Sequence, residues 1–260
     1  MMKKWNKGEE SEKVKEEEKR KIIEPEEGKK EIIKELSREE QKEARRVEEE
    51  QAVWNPKTKT GKEVKEGKIT DIDEVLEKGK ILEHQIVDKL LSLRNDLIAI
   101  GQSKGKFGGG KRRVWKQTQK KSAEGNIPNF ACMAVVGDMN GHIGLGYGKA
   151  RETLPSREKA VRDAKLNIIK VKRGCGSFDC ICNEPHSIPY ATKGKSGSSI
   201  MILLPAPKGT GLVIEDECKK ILRLAGIKDV YSRTFGQTRT KFNLAKACIE
   251  ALKNISKIKK

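Results

Sequence analysis

Four residues of this sequence combine ligand chemistry with ligand spacing. Cys175, Cys180, Cys182 and His186 read Cys-x4-Cys-x-Cys-x3-His within twelve residues. Thiolate and imidazole are the donors that suit tetrahedral zinc. Glycine, Asn183 and Pro185 between them let a chain fold around an ion. Such an ion would brace a loop and take no part in catalysis. The Cys-x-Cys step departs from the usual Cys-x2-Cys knuckle, so two states stay open: a structural zinc, or a reduced metal-free loop. The other cysteines, Cys132, Cys218 and Cys248, lie on apolar faces and read as core.

Catalytic chemistry finds no support. A phosphate loop needs Gly-x4-Gly-Lys-Ser/Thr. Gly148-Lys149 is followed by Ala150, with Ile143 where the first glycine belongs, and Gly194-Lys195-Ser196 has Pro189 at that place. The chain has only three histidines and no motif that pairs a nucleophile with a base. The sequence predicts no enzyme and no required cofactor.

Charge is the stronger signal. The 260 residues hold 56 Lys+Arg against 38 Asp+Glu, a formal net charge of +18. Residues 1–50 hold 15 basic and 17 acidic side chains, so the remainder carries 41 against 21. A basic foldable part implies a polyanionic partner, with RNA or DNA the default. No apolar run long enough to span a bilayer exists, and no basic helix with a broad apolar face is evident, so no membrane partner is expected. The start, Met1-Met2-Lys3-Lys4-Trp5, does not lead into the apolar core of a secretory leader; the chain reads as cytoplasmic, its thiols reduced.

The basic residues fall into groups. Lys111, Arg112, Arg113, Lys116, Lys120 and Lys121 cluster on one strand and its hairpin, where they could neutralise phosphates. Trp115 lies among them, as a stacking residue or as core. Lys149 and Arg151 follow a strand in which Gly144, Gly146 and Gly148 alternate, suited to close approach of RNA or of a helix. Arg157, Arg162 and Lys165 lie on the polar face of a helix that continues toward Lys172 and Arg173. Lys193, Lys195 and Arg239 sit in loops or near element ends.

These groups need elements to hold them. Residues 1–50 are Glu/Lys low complexity with few apolar positions, a charged helical or disordered extension. Residues 51–110 form an arm with short helices: one starts near Asp71, a second spans Ile81, Ile86, Val87, Leu90, Leu91 and Leu93, and a glycine-rich connector runs from Gln102 to Gly110. Residues 111–173 predict β-β-β-α: a basic strand over Lys111–Gln119, a tip over Lys120–Asn126, a buried strand over Phe130–Gly137, an Asn140-Gly141 turn, a strand from His142, and a helix opened by Pro155 with Ala160, Val161, Ala164, Ile168 and Ile169 on one face. Residues 174–186 are the Cys/His loop. Residues 187–257 predict β-β-α-β-α, with strands at Ile188–Thr192, Ser199–Leu204 and Val230–Phe235, a basic loop at Lys193–Gly197, and helices over Glu215–Leu224 and from Phe242. The fold class is α+β.

Several ordered blocks of this sequence resemble one family. Gly137-Asp138-Met139-Asn140-Gly141-His142-Ile143-Gly144-Leu145-Gly146-Tyr147-Gly148-Lys149-Ala150-Arg151-Glu152 is similar to the signature of small-subunit ribosomal protein five. Arg173-Gly174-Cys175-Gly176 and Pro185-His186-Ser187 resemble its archaeal form. Pro205-Ala206-Pro207 through Gly211, Ala225-Gly226-Ile227-Lys228-Asp229-Val230 and Gly236-Gln237-Thr238-Arg239-Thr240 resemble its second domain. The resemblance covers about residues 54–254 and leaves the extension outside. It implies a domain like those that bind double-stranded RNA, then an α/β two-layer sandwich of a fold shared with small-molecule kinases. Pro205–Leu212 faintly resembles the kinase phosphate loop, but Val213-Ile214-Glu215 follows it, and a shared fold does not carry function. The hairpin at 120–130 departs from the family's short glycine-rich form by its length, Glu124 and Pro128.

The resemblance also implies partners: small-subunit ribosomal RNA, mRNA at the entry site, and small-subunit ribosomal proteins four, eight, two and three, with no homo-oligomer. It implies roles in subunit assembly and translational accuracy. The alternatives are a free double-stranded-RNA-binding regulator and a zinc-dependent interaction module.

Overall fold

A computed structural model describes residues 54–103, 112–182 and 184–257. The charged extension over residues 1–50, the glycine-rich stretch 104–110 and Lys111 lie outside the described residues. Pro56–Lys260 forms one contact unit, separate from Met1–Asn55.

Three short helices open this unit. α1 spans Lys59–Lys65, α2 Ile72–Lys78 and α3 His84–Leu90. Thr58 caps α1, its hydroxyl oxygen accepting from the Gly61 amide, which satisfies one of the donors a helix start leaves open. The amphipathic run read as one helix over 81–93 is α3 alone. Beyond it the chain straightens into β1, Arg94–Ile98, a strand the pattern did not predict.

β1 joins a sheet with β2 (Lys116–Ser122), β3 (Gly125–Gly137), β4 (His142–Ala150) and β5 (Ile168–Lys170). The order is β1-β3-β4-β5, and β2 also pairs with β3. β3 is the organising strand. Its inner half, Met133–Gly137, pairs with β1, its outer half, Gly125–Ala131, pairs with β2, and β4 occupies the other edge over Phe130–Gly137. All pairings in this sheet are antiparallel. The basic strand thus begins at Lys116, and the turn of its hairpin is Ala123-Glu124 alone, with both strands running through the stretch read as a tip. Pro128 sits where β3 has only β2 beside it, so its missing amide interrupts no central ladder.

α4 spans Thr153–Leu166 and covers one face of this sheet. Contact is close because β4 lacks side chains where the helix lies. A Cβ on Gly144, Gly146 or Gly148 would stand 2.1–2.2 Å from the carbonyl oxygens of Ala164, Ala160 and Ser156 respectively. Of the two readings left open for these glycines, strand-to-helix packing is the one observed. The helix stops at Leu166, and Ile168 and Ile169 belong to β5.

The second sheet has the order β6-β7-β9-β8, with β6 Thr192–Ser196, β7 Ser199–Pro205, β8 Leu212–Val213 and β9 Val230–Phe235. β8 runs parallel to β9 and the other pairs are antiparallel. α5 (Asp216–Leu224) and α6 (Lys241–Lys257) pack against it. Glu215 caps α5, accepting from the Glu217 and Cys218 amides. Lys193–Ser196 are not a loop: with Thr192 they form β6, the turn is Gly197-Ser198, and Ile188–Ala191 before it is not a strand; Gly194 admits the Ala247–Ala251 turn of α6 as β4 admits α4.

One apolar cluster takes side chains from both sheets, among them Ile98, Met133, Val135 and Ile143 with Met201, Leu203, Leu222 and Leu252. Cys218 and Cys248 belong to it, and Cys132 is buried under α4. Polar bonds reinforce this join. The Glu217 carboxylate accepts from the Ala99 amide at 2.9 Å and Lys220 donates to the Leu97 carbonyl at 2.9 Å. The Met139 amide donates to the Leu224 carbonyl at 2.9 Å.

Two charge links fasten the opening helices to the first sheet. Asp88 of α3 holds the Lys165 ammonium at 2.7 Å, with only 8 % and 11 % of the two side chains exposed. Asp73 of α2 meets Lys170 and the His142 ring, whose other nitrogen lies 2.6 Å from Asp138. The Asp138 hydrogen bond lifts the His142 pKa above its ordinary value against the effect of burial, and Asp73 adds to the lift. Burial works against ionisation of Asp138 and Asp73, yet bonds to His142, to Lys170 and to backbone amides bring both carboxyls below their ordinary range.

Two outcomes follow. Gly146→Val drives a branched side chain into the α4 backbone and destabilises the fold by about 3 kcal/mol or more, read by urea unfolding. The lifted His142 contributes stability in full below its unfolded pKa of about 6.5 and loses it as pH rises through the folded value. Unfolding free energy therefore declines as pH rises above the unfolded value and through the raised folded one, and His142→Gln flattens that decline.

Candidate nucleic-acid interface and candidate metal centre

The β2–β3 hairpin is built as an arm. Beyond the Phe130↔Ala150 pair β4 has ended, so residues 118–129 form a two-stranded ribbon. Five residues at about 3.4 Å each carry it roughly 17 Å past the three-stranded part of the sheet. Every residue of β2 is exposed, as are Gly125–Pro128 of β3. Alternation puts Lys116 and Lys120 on one face and Lys121 on the other. Lys149 joins the first face, because Ala131 pairs with Lys116 on one side and Lys149 on the other. At the root of the arm Arg113 and Trp115 are exposed, and Arg112 is partly so.

Arg151, Arg162 and Lys172 are exposed outside this arm, and Arg157 is partly exposed on α4. Lys193 and Lys195 stand on the outer face of β6, because Thr192 and Gly194 between them turn inward. Arg239 is exposed between β9 and α6. Two predicted contacts are turned inward instead. Lys165 is held by Asp88, because its place on α4 faces α3 and not solvent. Arg173 donates through its guanidinium to the Met139 and Asn140 carbonyls at 3.1 and 2.9 Å, bracing the turn between β3 and β4.

A further basic patch escaped the sequence reading. Lys80, Lys246, Lys253 and Glu250 line a groove of about 530 Å³ with Leu145 and Ile169, and Lys195 of the edge strand β6 borders it. Lys246 and Lys253 are seven residues apart on α6, a spacing that puts them on one helix face but looks like ordinary solvation. The Tyr147 and Phe242 rings meet edge-on at 5.2 Å, and the Lys246 ammonium lies 4.3 Å from the Phe242 centroid.

Cys175, Cys180, Cys182 and His186 do converge. Their donor atoms lie within 4.8 Å of one another. The Cys182–Cys175 sulfurs are 3.7 Å apart and Cys180 is 3.6 Å from His186 Nε2. A zinc–sulfur bond of about 2.3 Å gives a tetrahedral sulfur–sulfur edge of about 3.8 Å, so these spacings fit the ion. The Cys180 and Cys182 sulfurs stand 2.9 Å apart and must open to reach it. That closeness makes the pair share a proton: the Cys182 thiol lowers Cys180 to about 6, and Cys182 is pushed up to about 11.

The residue behind the histidine is one the motif could not reveal. Asp229 lies 2.9 Å from His186 Nδ1, and both side chains are buried. A carboxylate there holds the proton on Nδ1 and leaves the Nε2 lone pair facing the sulfurs. The other Asp229 oxygen accepts from the Gly209 and Gly211 amides at 3.1 and 2.8 Å. The glycine loop after β7 therefore spends these amides on an internal carboxylate, where a phosphate loop would offer them to a ligand.

No helix among the described residues is long and apolar enough to cross a membrane. Residues 111–172 match the family model for the N-terminal domain of ribosomal protein S5, and residues 194–260 match that for its C-terminal domain. Relatives named small ribosomal subunit protein uS5 include that of Nanoarchaeum equitans, 53 % identical over 79 % of this chain and 89 % of its own length. That of Methanobrevibacter smithii is 46 % identical over 79 % of this chain and 91 % of its own, and that of Methanocaldococcus jannaschii 48 % over 78 % and 88 %. The α+β architecture and the ordered signature blocks agree with these matches. The chain belongs to the ribosomal protein S5 family, whose members are structural and not enzymes.

Proposed function

We propose that this chain is a structural constituent of the small ribosomal subunit that holds ribosomal RNA through the β2–β3 arm. The observation that carries the reading is the arm itself: two strands standing clear of the body, with Lys116, Lys120 and Lys121 exposed on β2 and no acid in that strand. Arg112, Arg113, Lys149, Arg151, Arg157, Arg162, Lys172, Lys193, Lys195 and Arg239 extend the contact over the body, and the lysine groove adds to it. Phosphate contacts of this kind fix orientation and carry no sequence preference of their own. Family membership supports contact with mRNA at the entry site and with small-subunit proteins four, eight, two and three, and roles in assembly and accuracy. Lys165 and Arg173 act within the fold.

The Cys/His centre holds a structural zinc in this reading. Cys175, Cys180, Cys182 and His186 are its ligands, and Asp229 orients the histidine. The ion closes the connector between the two sheets and ties it, through His186 and Asp229, to the loop ending at Gly211. The donor geometry supports it.

Neutralising a phosphate releases counterions, so affinity for small-subunit RNA falls steeply with salt. Replacing Lys116, Lys120 and Lys121 with Ala lowers the slope of log affinity against log salt by about 2–3, read by filter binding of an rRNA fragment. An unchanged slope, or native protein that sediments free of small subunits, overturns the reading. Elemental analysis of the purified chain finds one zinc per molecule, lost in Cys180→Ser. Chelation lowers stability by at least about 1 kcal/mol, or 2–4 °C in Tm for a chain of this size. Absence of stoichiometric zinc removes the metal from the reading and leaves a reduced loop.

A further inference from the structure

The second sheet has one face covered and one face open. Met201, Leu203 and Val230 point into the core beneath α5 and α6. Alternation sends Ile200, Ile202 and Leu204 of β7, and Tyr231, Arg233 and Phe235 of β9, to the other side. The register sets these residues in rows: Lys193, Ile202 and Arg233 across three strands, and Lys195, Ile200 and Phe235 beside them. Tyr231 is 40 % exposed and Phe235 52 %. Along β9 the face reads ring, guanidinium, ring at intervals of about 6.6 Å. Its four strands contain no Asp or Glu.

We propose that this open sheet face is a binding platform for unpaired RNA, with Tyr231 and Phe235 stacking on bases while Lys193, Lys195 and Arg233 hold the flanking phosphates. The proposal rests on the RNA-binding reading above and adds a second mode of contact to it. A duplex keeps its bases stacked inside and offers a protein mainly phosphates and hydroxyls, for which exposed rings are of no use. An unpaired strand offers a π-face on every base, and rings beside cations suit it whatever its sequence. Charge separates RNA from a protein partner here. Three cations without an acid repel the basic surfaces usual among RNA-bound proteins and attract phosphate. Beside them on β7, Ile200, Ile202 and Leu204 give bases and riboses an apolar floor.

The test uses the full chain, a labelled oligouridine and a duplex of equal length. Tyr231→Ala and Phe235→Ala each weaken oligouridine binding by roughly 5- to 100-fold, the loss for removing one stacked base, and leave duplex binding within about twofold. Phe235→Tyr retains binding, and unchanged melting temperatures show that the exposed rings were not needed for folding. Equal losses on both ligands, or none on either, overturn the proposal. In assembled small subunits a photoreactive benzoyl-phenylalanine at position 235 forms adducts with RNA, and adducts with a ribosomal protein alone overturn it as well. The arm variant with Lys116, Lys120 and Lys121 replaced separates the two readings. If it binds the rRNA fragment as the parent does, the arm reading fails, while the oligouridine arms still report on the sheet face.

Discussion

Strand β3 must satisfy two environments along one backbone, and the rest of the molecule is arranged around that requirement. From Ala131 to Gly137 it is buried on both faces, between α4 and the cluster shared with the second sheet. From Gly125 to Pro128 it is exposed. The buried half needs apolar residues and partners on both edges, which β1 and β4 supply. The exposed half needs only one partner and charge, which β2 supplies. An isolated two-stranded ribbon is marginal in water. This one is held because its outer ladder is continuous with a strand that cannot leave the core. A rigid root under a polar tip holds these lysines clear of the body in a fixed orientation.

The same economy joins the two sheets. α5 packs its apolar side against the shared cluster and turns Glu217 and Lys220 to the backbone around β1. These groups are polar, but their partners are main-chain atoms at a strand end that would otherwise lack bonds. The contact therefore adds direction to apolar burial, which has none. The Met139–Leu224 bond and the Arg173 bridges do the same at the opposite end of β3. Close helix contact, made by glycines in both β4 and β6, sets the depth of each layer.

The Cys/His centre lies where the chain passes between the sheets, a place with little apolar material of its own. Phe178 and Ile181, its large apolar side chains, are fully exposed. Order there comes from polar groups: the four donors, the Asp229 carboxylate, and the Ser187 hydroxyl, which donates to the Asp229 carbonyl at 2.6 Å. Asp229 connects this connector with the glycine loop after β7, so two segments far apart in sequence share one carboxylate. The kinase-like loop thereby keeps its shape and loses its vacancy for phosphate.

Much of this was legible in the residues. The helix over Glu215–Leu224, ended by Ala225-Gly226, and the strand over Val230–Phe235 are readable from local signals. The cluster of three cysteines and a histidine is short enough for spacing to gather it. The positive charge of the foldable part and the ordered family blocks point to RNA from the sequence alone. What spacing could not reach was decided by packing between distant segments. Lys165 looked like a neighbour of Arg162 on a polar helix face until α3 brought Asp88 against it, and Lys193 and Lys195 looked like a loop because glycine hides a strand from pattern reading. β1 follows an amphipathic run with no turn signal, so only its ladder with β3 makes it a strand. Asp229 is 43 residues from His186, and an isolated acid carries no mark of the ring it will meet. A residue's type and its neighbours in sequence set which chemistry it can perform; its partner, and therefore which face it shows to solvent, is a property of the assembled layers.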